Sequence, residues 1–344
     1  MPASPRLYLD HAATTPMVAP AKAATAAAME NWANPSSPHA DGRAARATLE
    51  DARARIAAAL GWHGAIIFTS GASEAIAMGI GRSKSTEIAT SPVEHDAVLR
   101  VSDGASRLAV DGDGAILGSD GRIGLIVVQH VNNETGVIQP LDRIGREGVT
   151  LFADCAQSAG RLPLPDADMI AISAHKFGGP PGVGALLLRD LALIAPSGGQ
   201  EQGYRAGTEN LPGIMAMAAA LEAGAEWTQG AAQMRARLDA GIEAAGGVVV
   251  ARDAARVPWI ASYRMPRLSA RAQLIQFDLA GISVSAGSAC SSGSLKTSHV
   301  LSAMGWSDEA AGEVVRVSFG PDTGVADIDR FLTVWTAMAE RARR

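Results

Sequence analysis

The 344-residue sequence has only two cysteines, little net charge and no long apolar run. Cys155 and Cys290 can form at most one disulfide, which a reducing compartment disfavours, so either thiol could instead be chemical. A net charge of −5 with scattered Lys and Arg argues against nucleic acid as the main ligand. No stretch approaches the roughly 18 apolar residues of a membrane helix, and the first residues lack the apolar core of a signal peptide. We therefore expect a cytoplasmic protein that binds neither nucleic acid nor membranes.

The sequence has instead the composition of a well-buried globular protein, with 47% apolar and 19% charged residues. Its length allows one large α/β domain and a smaller one. Alanine-rich segments with helical periodicity, such as 19–31 and 40–60, alternate with short β-branched runs that end in Gly, Ser or Asp. This alternation predicts a mostly parallel sheet with helices on both faces. The predicted strands lie at 64–71, 85–91, 122–131, 149–155, 167–173 and 183–189.

The chain beyond residue 212 follows a different pattern. It is strongly helical through about residue 245, which suggests a bridge between two lobes. Two short strands, a helix, a serine-glycine loop and the strand "VVRVSFG" follow, and together they predict a compact α+β tail. The sequence contains no internal repeat and no low-complexity linker, so it does not mark the boundary between the lobes sharply.

The stretch "FTSGASEAIAMGI" predicts a strand, a turn of small residues and the start of a helix. Gly71, Ala72 and Ser73 could direct backbone N–H groups and a hydroxyl at an anion, which the helix dipole also attracts. Taken alone, the motif fits better the N-capping serine of an ordinary helix. It lacks the lysine of a Walker A loop and the triple glycine of a dinucleotide fingerprint, so ATP and NAD fit poorly.

Two further predicted strands end in polar residues. Asp154 ends one of them, with Gln157 three residues on, and a carboxylate leaving a buried strand needs a cation unless it caps a helix. The next strand ends on Ser173, His175 and Lys176. A loop lysine is usually a surface residue, but this one lies between an apolar run and "FGGPPG". Partial desolvation there lowers the pKa of an amine and favours a Schiff base.

An amine for an aldehyde, a carboxylate for a pyridine nitrogen and a cup for one phosphate together indicate pyridoxal phosphate. His95, in "SPVEHDAV", follows another predicted strand, so its imidazole could stack on the cofactor ring or move protons there. A structural histidine is the alternative for this position. No metal site is predicted.

The two cysteines lie in contrasting surroundings. Cys290 lies among serines, glycines and alanines in "SVSAGSACSSGSLKTSH", a stretch with little to bury that predicts an exposed loop. A thiol in such a loop is typical of a reactive cysteine. Cys155 follows an apolar strand, and we interpret it as structural.

With these residues identified, the sequence resembles the cysteine desulfurases of the NifS/IscS type, within the class V, fold-type I pyridoxal-phosphate enzymes. The resemblance extends over nearly the whole chain. The motifs that carry it are "YLDHAATTP" (8–16), "NPSSPHADGRAAR" (34–46), "TSGASEA" (69–75), "EHDAV" (94–98), "HVNNETGVIQPL" (130–141), "DCAQSAG" (154–160), "SAHKFGGPPGVGAL" (173–186), "GGQEQGYRAGTEN" (198–210) and "GSACSSGSLKTSHVL" (287–301).

The resemblance implies a cofactor site. Lys176 would bind pyridoxal phosphate as a Schiff base, Asp154 would pair with the pyridine nitrogen, Gln157 would donate to the ring hydroxyl, and His95 would stack on the ring and take part in catalysis. The phosphate would be held by the backbone and side chains of Ala72, Ser73, Ser173, His175 and Thr208. Thr208 would reach over from the other subunit, which implies a homodimer.

The resemblance also implies a reaction. Arg316, helped by Asn133, would bind the carboxylate of L-cysteine, and Cys290 would take the substrate sulfur as a persulfide while L-alanine leaves. The sulfur would pass to an iron–sulfur scaffold or a sulfur-carrier protein. A selenocysteine lyase, a class V aminotransferase and a non-catalytic adaptor are the alternatives.

The resemblance further suggests how the chain divides into domains. Residues 12–232 would form the large domain that binds pyridoxal phosphate. Residues 1–11 and 233–344 would form a smaller domain that carries the Cys290 loop.

Overall fold

The fold is that of a computed structural model, which describes residues 6–30, 33–119, 124–145, 147–287 and 297–344. The strands within these ranges are β1 Leu7–Tyr8, β2 Ala65–Thr69, β3 Ile88–Thr90, β4 Ser106–Arg107, β5 Leu125–Gln129, β6 Thr150–Asp154, β7 Met169–Ser173, β8 Gly184–Leu188, β9 Val248–Val249, β10 Ile260–Arg264, β11 Ile282–Ser283 and β12 Val314–Ser318. The helices are α1 Ala19–Glu30, α2 Ala40–Leu60, α3 Ala72–Gly81, α4 Asp96–Leu99, α5 Leu211–Glu222, α6 Thr228–Ala244, α7 Ala270–Leu279, α8 His299–Ala303, α9 Asp308–Ala311 and α10 Val325–Arg343.

A central sheet of seven described strands runs in the order β2, β8, β7, β6, β5, β3, β4. The strands from β7 to β4 pair in parallel, so the predicted mostly parallel sheet is confirmed. β8 is the exception, because it runs antiparallel to both β2 and β7. The ten residues between β7 and β8 are fewer than a helical crossover needs, which leaves an antiparallel return as the accessible connection.

Helices cover both faces of this sheet. Alternate residues of a strand point to opposite faces, and in β7 Ile170 and Ile172 pack in the core shared with α1, α2 and α5, whereas Met169 packs in the core shared with α3. All five residues of β5, β7 and β8 are buried. Burial on two faces explains why these strands are nearly continuous apolar runs in the sequence.

A second core lies around a three-stranded antiparallel sheet of β9, β10 and β12 among the described residues. Helices α6, α7 and α10 pack on it, and Phe277, Phe331 and Trp335 stack in its centre with ring centroids 4.8 to 6.4 Å apart. Strand β1 pairs with β11 and buries Leu7 and Leu9 in this same core. The division at residues 12 and 233 into two domains stays a prediction.

The helical region predicted between about residues 212 and 245 consists of two helices. α5 ends at Glu222 and α6 begins at Thr228. Gly224 lies between them with φ of 72°, a left-handed conformation that glycine adopts without strain and that interrupts a helix. The chain can therefore pass from the first core to the second at this point. Among the described residues, no helix combines the length and the apolar composition needed to cross a bilayer.

Two helical glycines lie in opposite surroundings and allow a matched test of the packing. A Cβ on Gly79 of α3 would lie 2.4 Å from the ring of Phe152, which is fully buried, whereas a Cβ on Gly230 of α6 would have no neighbour within 4 Å. We expect Gly79→Ala to lower the free energy of unfolding by about 1–3 kcal/mol through overpacking. Gly230→Ala should raise it by up to about 1 kcal/mol through helix propensity. Thermal unfolding of both variants checks this, and equal midpoints would contradict the packing described for α3.

Candidate active site

A cavity of about 550 Å³ lies at the carboxyl ends of β5, β6 and β7. Parallel strands bring their carboxyl ends to one edge of a sheet, which is where ligands bind in folds of this kind. Thr208 does not line the cavity; it is exposed. Cys290 lies outside the described residues. The other residues predicted from the sequence all line the cavity: Ala72, Ser73, His95, Asn133, Asp154, Gln157, Ser173, His175, Lys176 and Arg316.

One end of the cavity is formed by the turn between β2 and α3. Gly71 caps α3, and the backbone N–H groups of Ala72 and Ser73 belong to the first turn, whose amides have no acceptor within a helix. A Cβ on Gly184 of β8 would lie 2.6 Å from the Cα of Gly71, so the turn approaches the sheet as closely as two glycines permit. Glu74 in the same turn is paired with Arg205 at 2.8 Å. Its charge is thus offset, and the turn remains suited to an anion.

Ser173 and His175 border the same end. Ser173 is the last residue of β7, and its Oγ lies 3.4 Å from the position of a Cβ on Gly71. The Nδ1 of His175 lies 3.2 Å from the hydroxyl oxygen of Thr14. Burial lowers the pKa of His175 to about 4, and the neighbouring Lys176 adds to this effect. His175 is therefore neutral at pH 7 and can act as a hydrogen-bond donor without charge.

Asp154 and Gln157 meet deeper in the cavity. Asp154 ends β6, is 7% exposed, and accepts a hydrogen bond from the Ala156 amide at 2.9 Å. Burial raises its pKa, and the nearby His95 and Lys176 oppose the rise. The Nε2 of Gln157 donates to the Ala12 carbonyl at 2.9 Å, and its buried Oε1 has no hydrogen-bond partner among the described residues. A buried carboxylate and an unpaired amide oxygen together suit a polar ligand that can donate to both.

His95 lies at the N-terminus of α4, exposed to the cavity. Its Nδ1 accepts the Ala97 amide at 3.1 Å, so in the neutral ring the proton lies on Nε2. Desolvation by the surrounding protein lowers the pKa of His95, and Asp154 opposes this. The ring is thus neutral at pH 7, with one N–H fixed in its position.

Lys176 follows β7 in a short helical turn and is half-buried. Its Nζ donates to the carbonyl oxygens of Ala12 at 2.7 Å and Ala13 at 2.9 Å. Burial lowers the pKa of Lys176 to about 8, and the positive charge of Arg316 lowers it further, while Asp154 acts in the opposite direction. A substantial share of neutral amine at pH 8 is what attack on an aldehyde requires.

Arg316 lies in β12, lines the cavity and brings the second core into the site. Its Nη1 donates to the Asn133 carbonyl at 2.9 Å, and its Nη2 donates to Oδ1 of Asp10 at 2.7 Å. The Nε atom is buried without a hydrogen-bond partner among the described residues. Asn133 therefore supports the guanidinium through its backbone. Its expected help in binding the substrate carboxylate stays a prediction.

Two buried carboxyl groups near the cavity, Glu94 and Glu134, did not emerge from the sequence. Glu94 accepts the Ser91 hydroxyl at 2.6 Å and the Gln129 amide at 2.7 Å, and burial raises its pKa to about 8. Glu134 accepts the Ser298 hydroxyl at 2.5 Å, and burial raises its pKa as well. Both carboxyl groups are satisfied by contacts within the protein. Glu94 thereby holds the end of β5 in place, and Glu134 holds the N-cap of α8.

The residues present fit pyridoxal phosphate. The turn at α3 offers amides for a phosphate, Asp154 offers a buried carboxylate for a ring nitrogen, and Lys176 lines the same cavity. The unpaired Oε1 of Gln157 is the buried atom that a ring hydroxyl would satisfy by donating to it. The expected donation from Gln157 to the ring hydroxyl stays a prediction, because its Nε2 here donates to the Ala12 carbonyl.

Comparison with known proteins leads to the same class. The aminotransferase class-V family matches residues 7–331 of the chain. A cysteine desulfurase of Cereibacter sphaeroides is 35% identical, over 98% of this chain and 97% of its own length. The NifS-like protein of Rickettsia africae has the same fold with a TM-score of 0.88 and 29% identity, over 97% of this chain and 99% of that one. The structure of SspA in complex with cysteine has a TM-score of 0.79 and 29% identity, over 92% of this chain and 99% of that one.

The fold and the site thus define a fold-type I enzyme that uses pyridoxal phosphate. The chain belongs to the aminotransferase class-V family, in the branch formed by the cysteine desulfurases. The resemblance found in the sequence, the fold class and the cofactor are confirmed. The roles of individual residues are not tested by likeness of this kind.

The lowered pKa of Lys176 gives a measurable pH dependence. In cofactor-free protein, about half of this amine is neutral at pH 8, and attachment to an aldehyde needs the neutral form. We expect the rate at which pyridoxal phosphate enters a borohydride-reducible linkage to rise through pH 8 and to level off above it. A midpoint near pH 10, the ordinary range of an exposed lysine, would contradict the burial of Lys176. Lys176→Arg should form no reducible linkage, whereas Lys22→Arg, an exposed substitution on α1, should behave as wild type.

Proposed function

We propose that this enzyme converts L-cysteine to L-alanine and transfers the sulfur, as a persulfide on Cys290, to an acceptor protein. The observation that most strongly supports this function is that one cavity is lined by three groups: the Lys176 amine, the Asp154 carboxylate and the Arg316 guanidinium. An amine and a carboxylate suit the cofactor, and a buried guanidinium suits the carboxylate of an amino acid. The solved relative that carries cysteine in its structure supports the choice of substrate.

Arg316 would orient the substrate. A guanidinium has five N–H donors, and two of its nitrogens have partners here, those to Asn133 and Asp10, while Nε has none among the described residues. Donors therefore remain for a carboxylate. Lys176 lines the same cavity and lies near enough to Arg316 for their charges to interact, so an amino acid bound through its carboxylate at Arg316 would have its α-amino group within reach of Lys176.

Proton movements would fall to Lys176 and His95. When bound, pyridoxal phosphate supplies an electron sink for the negative charge left by loss of the α-proton. Lys176, with its pKa lowered to about 8, can take up a proton at Nζ and return it near neutral pH. Burial raises the pKa of Asp154, and the nearby positive charge of Lys176 opposes this rise and so favours the carboxylate. The Nε2–H of His95 supplies a donor beside the ring.

Cys290 would receive the sulfur. Its thiolate attacks the substrate sulfur, a sulfur–sulfur bond forms, and the carbon–sulfur bond breaks with its electron pair left on carbon. A proton then reaches that carbon and gives L-alanine, so the step needs no external oxidant or reductant. Cys290 is three residues from Gly287, which lines the cavity, so a chain of about 11 Å at most joins them. That length permits the thiol to reach the substrate.

The persulfide would pass to an iron–sulfur scaffold or a sulfur-carrier protein. The acceptor attacks the outer sulfur, which restores the Cys290 thiol and leaves the protein ready for another turnover. A nucleophilic thiol must stay reduced between turnovers. We therefore place the reaction in the cytoplasm, where thiols are kept reduced.

We further propose a homodimer with shared sites, in which Thr208 contributes to the phosphate site of the partner. Thr208 is exposed and does not line the cavity of its own chain. The neighbouring Arg205 pairs with Glu74 in the turn at α3, so this segment lies beside the phosphate end. The Thr208 hydroxyl is therefore accessible to a second copy of the chain.

The proposed sulfur transfer predicts that the two cysteines respond differently to substitution. Cys290→Ser should abolish release of sulfide from L-cysteine under dithiothreitol, while the absorbance of the bound cofactor stays, because serine cannot hold a persulfide. Cys155 is fully buried, and burial raises its pKa, so Cys155→Ala should keep the reaction. Sulfide and L-alanine, measured together, should appear in equal amounts in wild type. Undiminished turnover by Cys290→Ser would reject the persulfide and favour an aminotransferase.

The shared site predicts complementation between two defective variants. Lys176→Ala cannot attach the cofactor, and Thr208→Val should bind its phosphate weakly. In a mixed dimer, the site that keeps Lys176 would receive Thr208 from its partner and be intact. We expect mixing after reversible unfolding to restore desulfuration that neither variant shows alone. Mixed dimers that form and yet stay inactive would place Thr208 outside the partner's site.

A further inference from the structure

Asp10 forms an ion pair with Arg316, the residue to which we assign binding of the substrate carboxylate. It follows the buried Leu9 after β1 and lines the cavity, and its Oδ1 accepts the Arg316 Nη2–H at 2.7 Å. We propose that Asp10 is an internal competitor for the substrate carboxylate, which must take over the Asp10 contact on Arg316 in order to bind. This inference rests on the proposed role of Arg316 and assigns a new role to Asp10.

The ion pair between Asp10 and Arg316 stabilises the substrate-free protein. Only 8% of the Arg316 side chain is exposed, and a buried guanidinium without an anion is strongly destabilising. Asp10 supplies that anion from a fixed position. Its backbone bridges Ser318 of β12, and its carbonyl oxygen accepts the Tyr8 hydroxyl at 3.1 Å. The backbone is therefore held, and movement of Asp10 is confined to its side chain.

The contact can also be given up. The Asp10 side chain is 20% exposed and faces the open cavity, so it can turn toward solvent without leaving a buried charge behind. Arg316 would keep its other contact, at the Asn133 carbonyl. The guanidinium thus stays in place while its anionic partner changes.

Charge explains why the two carboxylates exclude each other. Asp154 and Glu134 already border this part of the cavity, and Lys176 and Arg316 are the cations that face Asp10. A substrate carboxylate added to Asp10 on the same guanidinium would bring two like charges into contact. Exchange of one carboxylate for the other keeps the local charge constant. Because every carboxylate ligand must displace Asp10, the exchange lowers the affinity for each of them. It leaves the affinity for a ligand without a carboxylate unchanged.

The test uses the holoenzyme and 3-hydroxypropionate, an unreactive carboxylate with no amine. Asp10→Asn keeps the shape and removes the charge. We expect it to lower the inhibition constant of 3-hydroxypropionate and the KM of L-cysteine by about fivefold each, with no rise in kcat. Inhibition by ethanolamine, which has no carboxylate, should not change. Asp329→Asn is the matched control: it breaks an exposed pair between Asp329 of α10 and Arg237 of α6, and it should leave all four values unchanged.

Other outcomes separate this inference from the proposed function. If Asp10→Asn binds 3-hydroxypropionate as well as wild type does, or more weakly, Asp10 does not compete with the substrate carboxylate. Its role would then be to hold Arg316 in position. Asp10→Ser provides a second variant if the asparagine variant does not fold, and the same tightening is expected from it. Arg316→Gln should lose binding of 3-hydroxypropionate. If Arg316→Gln binds it as wild type does, the assignment of Arg316 itself is wrong, and the inference on Asp10 is wrong with it.

Discussion

The site depends on the partial burial of the Lys176 amine. Desolvation at the end of a fully buried strand lowers its pKa to about 8, and the two carbonyl groups of Ala12 and Ala13 fix the position of its Nζ. A more exposed lysine would be protonated at neutral pH, and a fully enclosed one would not reach an aldehyde. The intermediate depth follows from the sheet, because β7 carries the chain to the cavity edge and the glycine-rich turn after it leaves the side chain open on one side.

Buried charges around Lys176 are balanced across the two cores. Asp154 comes from the central sheet, Arg316 from β12 of the second sheet, and Asp10 from the segment after β1. The guanidinium of Arg161 donates to the Lys176 carbonyl and lies over the rings of Trp227 and Trp259. Burial lowers even the pKa of this arginine, to about 10. Each charge therefore depends on another that lies far away in the sequence, and the relative placement of the cores is part of the chemistry.

Much of this could be predicted from the sequence, and the division has a physical basis. Asp154 and Lys176 could be found because each follows an apolar run directly, and the ends of parallel strands meet at one edge. Asp10 carries the same signal after Leu9, yet its partner lies 306 residues away, and no local pattern indicates that pairing. The antiparallel direction of β8 could not be predicted either, because an apolar run has the same pattern whichever way the strand runs. The burial of Glu94 could not be predicted, because it depends on the amide of Gln129, 35 residues away in the sequence.

The segment from Leu7 to Thr15 shows that the second core takes part in forming the site. It pairs with β11 and packs Leu7 and Leu9 in that core, and within a few residues it supplies the carbonyls that hold Lys176 and the carboxylate that holds Arg316. Thr15 then donates its hydroxyl to the Lys176 carbonyl and accepts from Arg161. A shift of the second core would move this segment as a unit, and with it the amine and the guanidinium together. The distance between the group that binds the cofactor and the group that binds the carboxylate is thereby fixed by one short piece of chain.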